Sequence, residues 1–432
     1  MITRRNFLQR AALAGGALLL PNGSLLTSVG CAPSGLQRRT PHYFVFYFMM
    51  GGWDLVLHSE PVPKKGDDIW IPYDEDDVVE LGNERFGPAF KPLTPFAQRT
   101  AILRGIYVDA LNHPQARVRM CTGRFKPPGP RPTVPSVQAI LADHLGKDYE
   151  IPNLSSDALR PTTFRGDGMD ERLEPVRIAS IDQLKGLVGW KGDIAKYRRD
   201  VEDTLAKKDQ LTASKYADVA LAQDFQTYAG LARATLDSEY PARVKAMASL
   251  TGDATLDRTV KNARLAVEAV RQDLAPVITV GSGEFDSHTR SQYATHQAAV
   301  VRGFKAVGLI AEGLEATAMP GGKTLLDHTT IVVTSEFSRD PKKNELGGKH
   351  HWQANSMFFI GKGVHKGKGA PTLVGRCDDG VNAQKMNPRN GSFNKGAEEI
   401  EMSNGLATVL AMAGIEPSKY FGPYDPVLPI MS

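Results

Sequence analysis

The sequence predicts an α/β layered sandwich with a mainly parallel central sheet and a helical insertion. Three observations carry this. Five short runs rich in β-branched and aromatic residues are apolar almost without a break, as expected of strands buried on both faces of a parallel sheet. Helical stretches separate several of them, giving the strand–helix–strand order that lays helices on a sheet. Between residues 180 and 275 the composition shifts to Ala, Leu, Asp, Lys and Arg with little Gly or Pro, which reads as a helical insertion or cap.

In chain order, residues 1–30 read as a processing signal. "TRRNFLQRAALAGGALLL" sets Arg4 and Arg5 before a short apolar stretch holding Gly15 and Gly16, the pattern of a twin-arginine export signal too short to span a membrane. The expected location is the periplasm or cell envelope. Cys31 follows a small residue in "TSVGCAPSG", but Ser28 stands where a lipoprotein site usually has an aliphatic. Lipid attachment at Cys31 and ordinary cleavage nearby are both open, and membrane contact is expected only through the signal or that lipid. Losing residues 1–30 removes three arginines and no acid, so the net charge falls from +4 to +1. A nearly neutral chain argues against bulk nucleic-acid binding.

The main domain is expected over residues 40–425. Its strands are "YFVFYFMMGGWD" ending at Asp54, "TAILRGIYVD" at 100–109, "PVITVGSGEFDSH" ending at His288, "HTTIVVTSEFSRD" at 328–340 and "NSMFFIGKGV" at 355–364. "VPSVQAILADHLG" reads as a helix that Ser136 caps and Gly146 closes. "THQAAVVRGFKAVGLIAEGLEA" carries long helical periodicity. Residues 60–95 and 365–400, rich in Gly, Pro, Lys and Asn, read as irregular connections. Cys121 and Cys377 are too few for a disulfide scaffold or a thiolate zinc cluster, though one bridge between them is open.

The ends of the strands are polar where the strands are not. Asp54 follows Gly51 and Gly52, Asp286 and His288 follow the third run, and Glu336 follows "IVVTS". His350 and His351 lead into the last run. Ligands of open parallel sheets bind beyond the carboxyl ends of the strands, so these residues share one topological address. Carboxylate oxygen with imidazole nitrogen suits zinc, manganese or iron, and calcium less well. Such an ion polarises an ester oxygen. Taken singly, Asp54 reads as a helix cap, Glu336 as a solvated acid and the two histidines as surface residues; the metal reading rests on their sharing an edge. Trp53, Phe337 and Trp352 read as packing, although an aromatic rim would suit a sugar.

Two resemblances sharpen this. "HPQARVRMCTGR", residues 113–124, is similar to the sulfatase signature, with Arg117 at its arginine and Thr122, Gly123 and Arg124 at its ending. "GGWD", "FDSH", "TSEFSR" and "HHW", in that order, resemble a bacterial family called domain of unknown function 1501, grouped with the alkaline phosphatase and sulfatase superfamily. The resemblance implies an alkaline-phosphatase-like fold, with Asp54, Asp286, His288, Glu336 and His351 as metal ligands and Arg117 on the anion. It also marks departures. His113 stands at the nucleophile position, Phe337 where a second-metal histidine is usual, and His350 where relatives often have Asp. His113 would be a ligand, a general base or a group-accepting nucleophile. One or two divalent ions are expected, one ahead of two. The implied activity is hydrolysis of a small phosphate or sulfate ester, glycan-linked substrates included, with a non-catalytic envelope binding protein as the alternative.

Overall fold

The computed structural model describes residues 42–61, 69–124, 133–149, 151–156, 164–178, 258–283, 285–394 and 396–432, with the backbone of two short antiparallel strands, Ala17–Leu19 and Leu25–Thr27. The bulk of the expected signal segment, Cys31 and residues 180–257 of the expected helical insertion lie outside the described residues.

All five apolar runs are strands of one sheet. In chain order these are β1 (Tyr43–Met49), β2 (Thr100–Tyr107), β5 (Val277–Ser282), β6 (Thr329–Thr334) and β7 (Ala354–Gly361). Three short strands that carry no readable period complete it: β3 (Asn153–Ser156), β4 (Val176–Ile178) and β8 (Thr372–Val374). The spatial order of the eight-stranded sheet is β8-β2-β7-β6-β1-β5-β3-β4. Every neighbouring pair is parallel except the two that involve β7, which runs against β6 and β2.

The strands are apolar throughout because both faces are covered. Along β1, Tyr43, Val45, Tyr47 and Met49 enter one core cluster while Phe44, Phe46 and Phe48 enter another, the period-2 alternation of a pleated strand. The first face is roofed by α3 (Arg258–Arg271) and α4 (Arg290–Glu315), through Ala266, Val300, Phe304 and Val307. The second is roofed by α1 (His113–Thr122), α2 (Val137–Leu145) and α5 (Met402–Met412), through Met120, Ile140, Leu406 and Leu410. Each large apolar side chain so buried contributes about 1.5–3 kcal/mol over leaving it in water.

Local signals account for the helix ends. Ser136 accepts the Ala139 N–H and caps α2, and the Gly146 N–H closes that helix on the Ala142 carbonyl. Helix α4 begins earlier than its apolar period, because Thr289 and Gln292 form a capping box ahead of it. The connections expected to be irregular hold some regular structure: a hairpin of Val79–Leu81 with Glu84–Phe86, a 3-10 stretch Pro88–Arg99, and β8. Cys121 and Cys377 are both free thiols. They sit against the cores on opposite faces of the sheet, which excludes the bridge left open above.

Glu60 is a buried acid away from the polar edge. It is 8% exposed, its nearest cation is the Arg104 Nε at 3.6 Å, and burial raises its carboxyl from the ordinary 4.5 to about 7. A carboxyl raised in the fold binds more protons folded than unfolded, so its contribution is present below about pH 4.5 and lost as pH rises through about 7. Glu60→Gln is therefore expected to unfold at a higher urea midpoint than the parent at pH 8, by up to about 3 kcal/mol, and to match it near pH 4.

Candidate functional site

Strands β6, β1 and β5 are consecutive in the sheet and parallel, so their carboxyl ends emerge side by side, about 4.8 Å apart. Because β7 is antiparallel, its beginning reaches the same edge, preceded by a small hairpin pairing Ser338–Arg339 with His351–Trp352. Strand β2 also ends there, and the loop after it starts α1 at His113. Residues 113, 286, 288, 336 and 351 are thus brought together from four places in the chain.

The turn after β1 is built for close approach. Gly51 and Gly52 have φ of 119° and 80°, a region L residues rarely adopt. A Cβ on Gly51 would lie 2.7 Å from the Asp286 backbone nitrogen, and one on Gly52 2.5 Å from the Phe337 ring. The Gly51 N–H donates to both Glu336 oxygens, at 3.0 and 2.9 Å.

Glu336 is buried to 1% exposure and is not itself among the convergent donor atoms. It accepts from His113 Nδ1 at 2.9 Å, Arg117 Nε at 3.1 Å and the Ser335 hydroxyl at 3.2 Å. Burial works to raise its carboxyl, but the His113 bond, the Arg117 charge and the Gly51 amide bring it below the usual carboxylate range. With Nδ1 facing a carboxylate, His113 carries its proton there and presents Nε2 as a lone pair; that nitrogen is buried and meets no hydrogen-bond partner. His351 is held alike, its Nδ1 donating to the Leu111 carbonyl at 2.6 Å. Phe337 packs on both rings, at 4.8 Å from His113 and 4.2 Å from His351.

The freed Nε2 atoms face Asp286. His113 Nε2 lies 3.5 Å from its Oδ2 and His351 Nε2 3.8 Å from its Oδ1. His288 Nε2 lies 3.1 Å from Oδ1 and 3.0 Å from the His351 Nε2. One ligand atom each from His113, Asp286 and His351 falls within a 4.8 Å group. A tetrahedral ion with bonds near 2.0–2.1 Å sets its ligand atoms about 3.3 Å apart, inside the spread of these separations. Burial draws His351 down to about 4 and lowers His288, keeping both imidazoles in the neutral form that binds metal. Burial pushes Asp286 upward, but its hydrogen bond and charge contact with Arg339, at 2.8 Å, hold it below the usual range. Donor type, tautomer and spacing all fit one divalent ion.

Besides Glu336, two more expected ligands are not among the convergent donors. Asp54 lies fully buried in an ion pair with Lys349, whose Nζ is 2.7 Å from its Oδ2, and the Tyr293 hydroxyl donates to the same oxygen at 2.6 Å. Its other oxygen accepts the Val56 N–H and caps the turn Leu55–Leu57. The cation there is an ammonium. Burial lowers the Lys349 amine, while the charge and hydrogen bond of Asp54 oppose that. His350 stays at the solvent rim of the cluster, its ring 6.0 Å from that of His288 and its side chain 53% exposed against 17% for His351, because neighbours in an extended hairpin face opposite sides. Its contact is Glu345, at 3.6 Å.

Arg339, Lys349 and Tyr293 carry no assignment from sequence. Arg339 is fully buried and donates to the Gly51 and Gly52 carbonyls, to the Lys349 carbonyl and to Asp286. Its one legible signal is its place in "TSEFSR", and Lys349 stands in "GGKHH".

A match to the family described as "Protein of unknown function (DUF1501)" covers residues 79–390, more than half of the chain. The chain belongs to this family. Solved structures similar to this DUF1501 member include a lipoteichoic acid synthase from Listeria monocytogenes at 10% identity and TM-score 0.40, covering 98% of this chain and 82% of that one. A sulfatase from Pseudoalteromonas sp. is similar at 13% identity and TM-score 0.37, covering 91% and 71%. A protein in the alkaline phosphatase superfamily from Vibrio parahaemolyticus is similar at 10% identity and TM-score 0.36, covering 96% and 76%. No curated protein matches the sequence.

Gly51→Ala is expected to lower stability by about 2 kcal/mol or more in urea unfolding, since a Cβ there meets backbone rather than a movable side chain. Lys349→Met, which leaves the Asp54 charge buried alone, is expected to cost about 3–5 kcal/mol, and the double variant Asp54→Asn/Lys349→Met to recover most of it.

Proposed function

We propose that this protein is an exported, metal-dependent hydrolase of phosphate or sulfate esters. The observation that supports it most is the convergence of three imidazole Nε2 atoms on Asp286, with the tautomers of His113 and His351 set by Glu336 and the Leu111 carbonyl. His113, Asp286, His288 and His351 would hold the ion, and a bound ion would supply Lewis acidity towards an ester oxygen.

The chain's own groups have separable roles. Arg117 donates its Nε to Glu336, which orients the guanidinium, and its Nη groups would be the donors to an anion. Glu336 holds His113 and Arg117 together, so one buried carboxylate sets both the imidazole and the guanidinium. Arg339 holds Asp286 from behind and ties it to the β1 turn. Asp54 and Lys349 anchor the floor of the edge. Three nitrogen donors and one carboxylate favour zinc or a neighbouring transition metal over calcium. Export rests on the Arg4–Arg5 segment, and the proposed compartment is the periplasm or cell envelope.

The second reading, an envelope binding protein without catalysis, is favoured by one observation: His113 stands where the signature would carry a hydroxyl or thiol nucleophile. The two readings part on a screen of aryl phosphates and aryl sulfates with added divalent ions. Turnover, reduced about 100-fold by Arg117→Ala, is the expected result. A folded, metal-loaded protein silent on every ester would favour binding alone. Elemental analysis supplies the site test: stoichiometric metal is expected in the parent and is expected to be lost in Asp286→Ala and His351→Ala. Metal that survives both substitutions removes the assignment.

A further inference from the structure

The strand-end acids do not share one environment. Asp286 faces three imidazoles, whereas Asp54 faces an ammonium in a setting of oxygens. The Lys349 Nζ lies 2.7 Å from Asp54 Oδ2 and 3.2 Å from the Trp70 carbonyl, with both charged side chains fully buried. The Tyr293 hydroxyl closes on the same carboxylate oxygen, and the Trp70 and Tyr293 rings flank the ammonium at 5.7 and 5.3 Å. A carboxylate, a carbonyl and a phenol around a buried positive charge form the surroundings of a hard cation, with the charge delivered on a side chain.

We infer that Lys349 occupies, as part of the chain, the seat a second metal ion would take at Asp54, so that the centre binds a single divalent ion at His113, Asp286, His288 and His351. This rests on the metal site proposed above and adds its stoichiometry. A second divalent ion would have to displace the ammonium or lie against it, with the fully buried Arg339 guanidinium also close enough to act on Asp54. Among the described residues, the group of His, Asp, Glu or Cys side chains with ligand atoms close enough to share an ion is His113, Asp286 and His351, and Asp54 is outside it.

The experiment uses the full chain, stripped with a chelator and dialysed against Mn2+, an ion that accepts both nitrogen and oxygen donors. Bound Mn2+ is counted by elemental analysis. One ion per chain is expected in the parent and in Asp54→Asn, and none in Asp286→Ala. Lys349→Ser, which frees the oxygens of Asp54, Tyr293 and the Trp70 carbonyl, is expected to take a second, weaker equivalent that disappears when Asp54→Asn is added. Two ions in the parent, one of them lost in Asp54→Asn, would overturn the inference and leave the imidazole site standing. A folded Lys349→Ser chain that stays at one ion would overturn it as well. No ion in the parent, or one that persists in Asp286→Ala, would bring down the imidazole site itself. Should Asp54→Asn fail to fold, Asp54→Asn/Lys349→Met removes both charges and carries the same count.

Discussion

A carboxylate shut away from water stays ionised only where the protein brings charge and hydrogen bonds to it, and the polar edge of this sheet is organised by that requirement. An uncompensated buried charge would cost several kcal/mol, a large share of a domain's whole stability. The two buried acids at the edge each have a cation, Lys349 at Asp54 and Arg117 at Glu336, and the half-exposed Asp286 takes Arg339. The demands of Glu336 reach furthest. Its two oxygens take the Gly51 amide, so the β1 turn must come down onto β6, and it does so in a conformation that only glycine holds without strain. The same turn then rests on the Asp286 backbone, which couples the position of one acid to the solvation of another.

Topology turns that local arrangement into a centre. Three adjacent parallel strands deliver acids at neighbouring positions, but parallel strands alone would place the beginning of the next strand at the far edge. The reversed strand β7 changes this. Its entry lies beside the exit of β6, so His351 meets His288, 63 residues earlier, at an Nε2–Nε2 distance of 3.0 Å. On the other side of β7, β2 exits at the same edge and hands the chain to α1, whose first residue is His113. Without the antiparallel strand the 338–352 hairpin would not face Asp286.

Much of this was legible in the sequence, and the parts that were not have identifiable reasons. The five main strands announced themselves because burial on both faces leaves apolar runs unbroken. Strands β3, β4 and β8 are three or four residues long, too short for any period to register. Asp286, His288 and His351 were readable as donors because each adjoins such a run. Asp54 adjoins one equally, and nothing local distinguishes a carboxylate waiting for metal from one that a lysine 295 residues away will neutralise. Arginine and lysine are usually surface residues, so Arg339 and Lys349 gave no sign of being fully buried. His350 and His351 could be told apart only through the hairpin's facing, which sequence spacing does not fix.

The pairing of acids with cations also sets the electrostatic character of the centre. Asp54, Asp286 and Glu336 cancel against Lys349, Arg339 and Arg117, and the His288 and His351 imidazoles, whose charged form burial disfavours, add little. The protein part of the edge is therefore close to electrically balanced, and any divalent ion held by the imidazoles would appear there as nearly uncompensated positive charge. Arg117 adds a guanidinium beside it, held through its Nε on Glu336. Under the proposed reading such a field would attract a tetrahedral anion and do little for a neutral ester. An edge whose acids outnumbered their cations would spend the ion's charge on its own carboxylates. Here the charge of an ion so held would be left for the ligand.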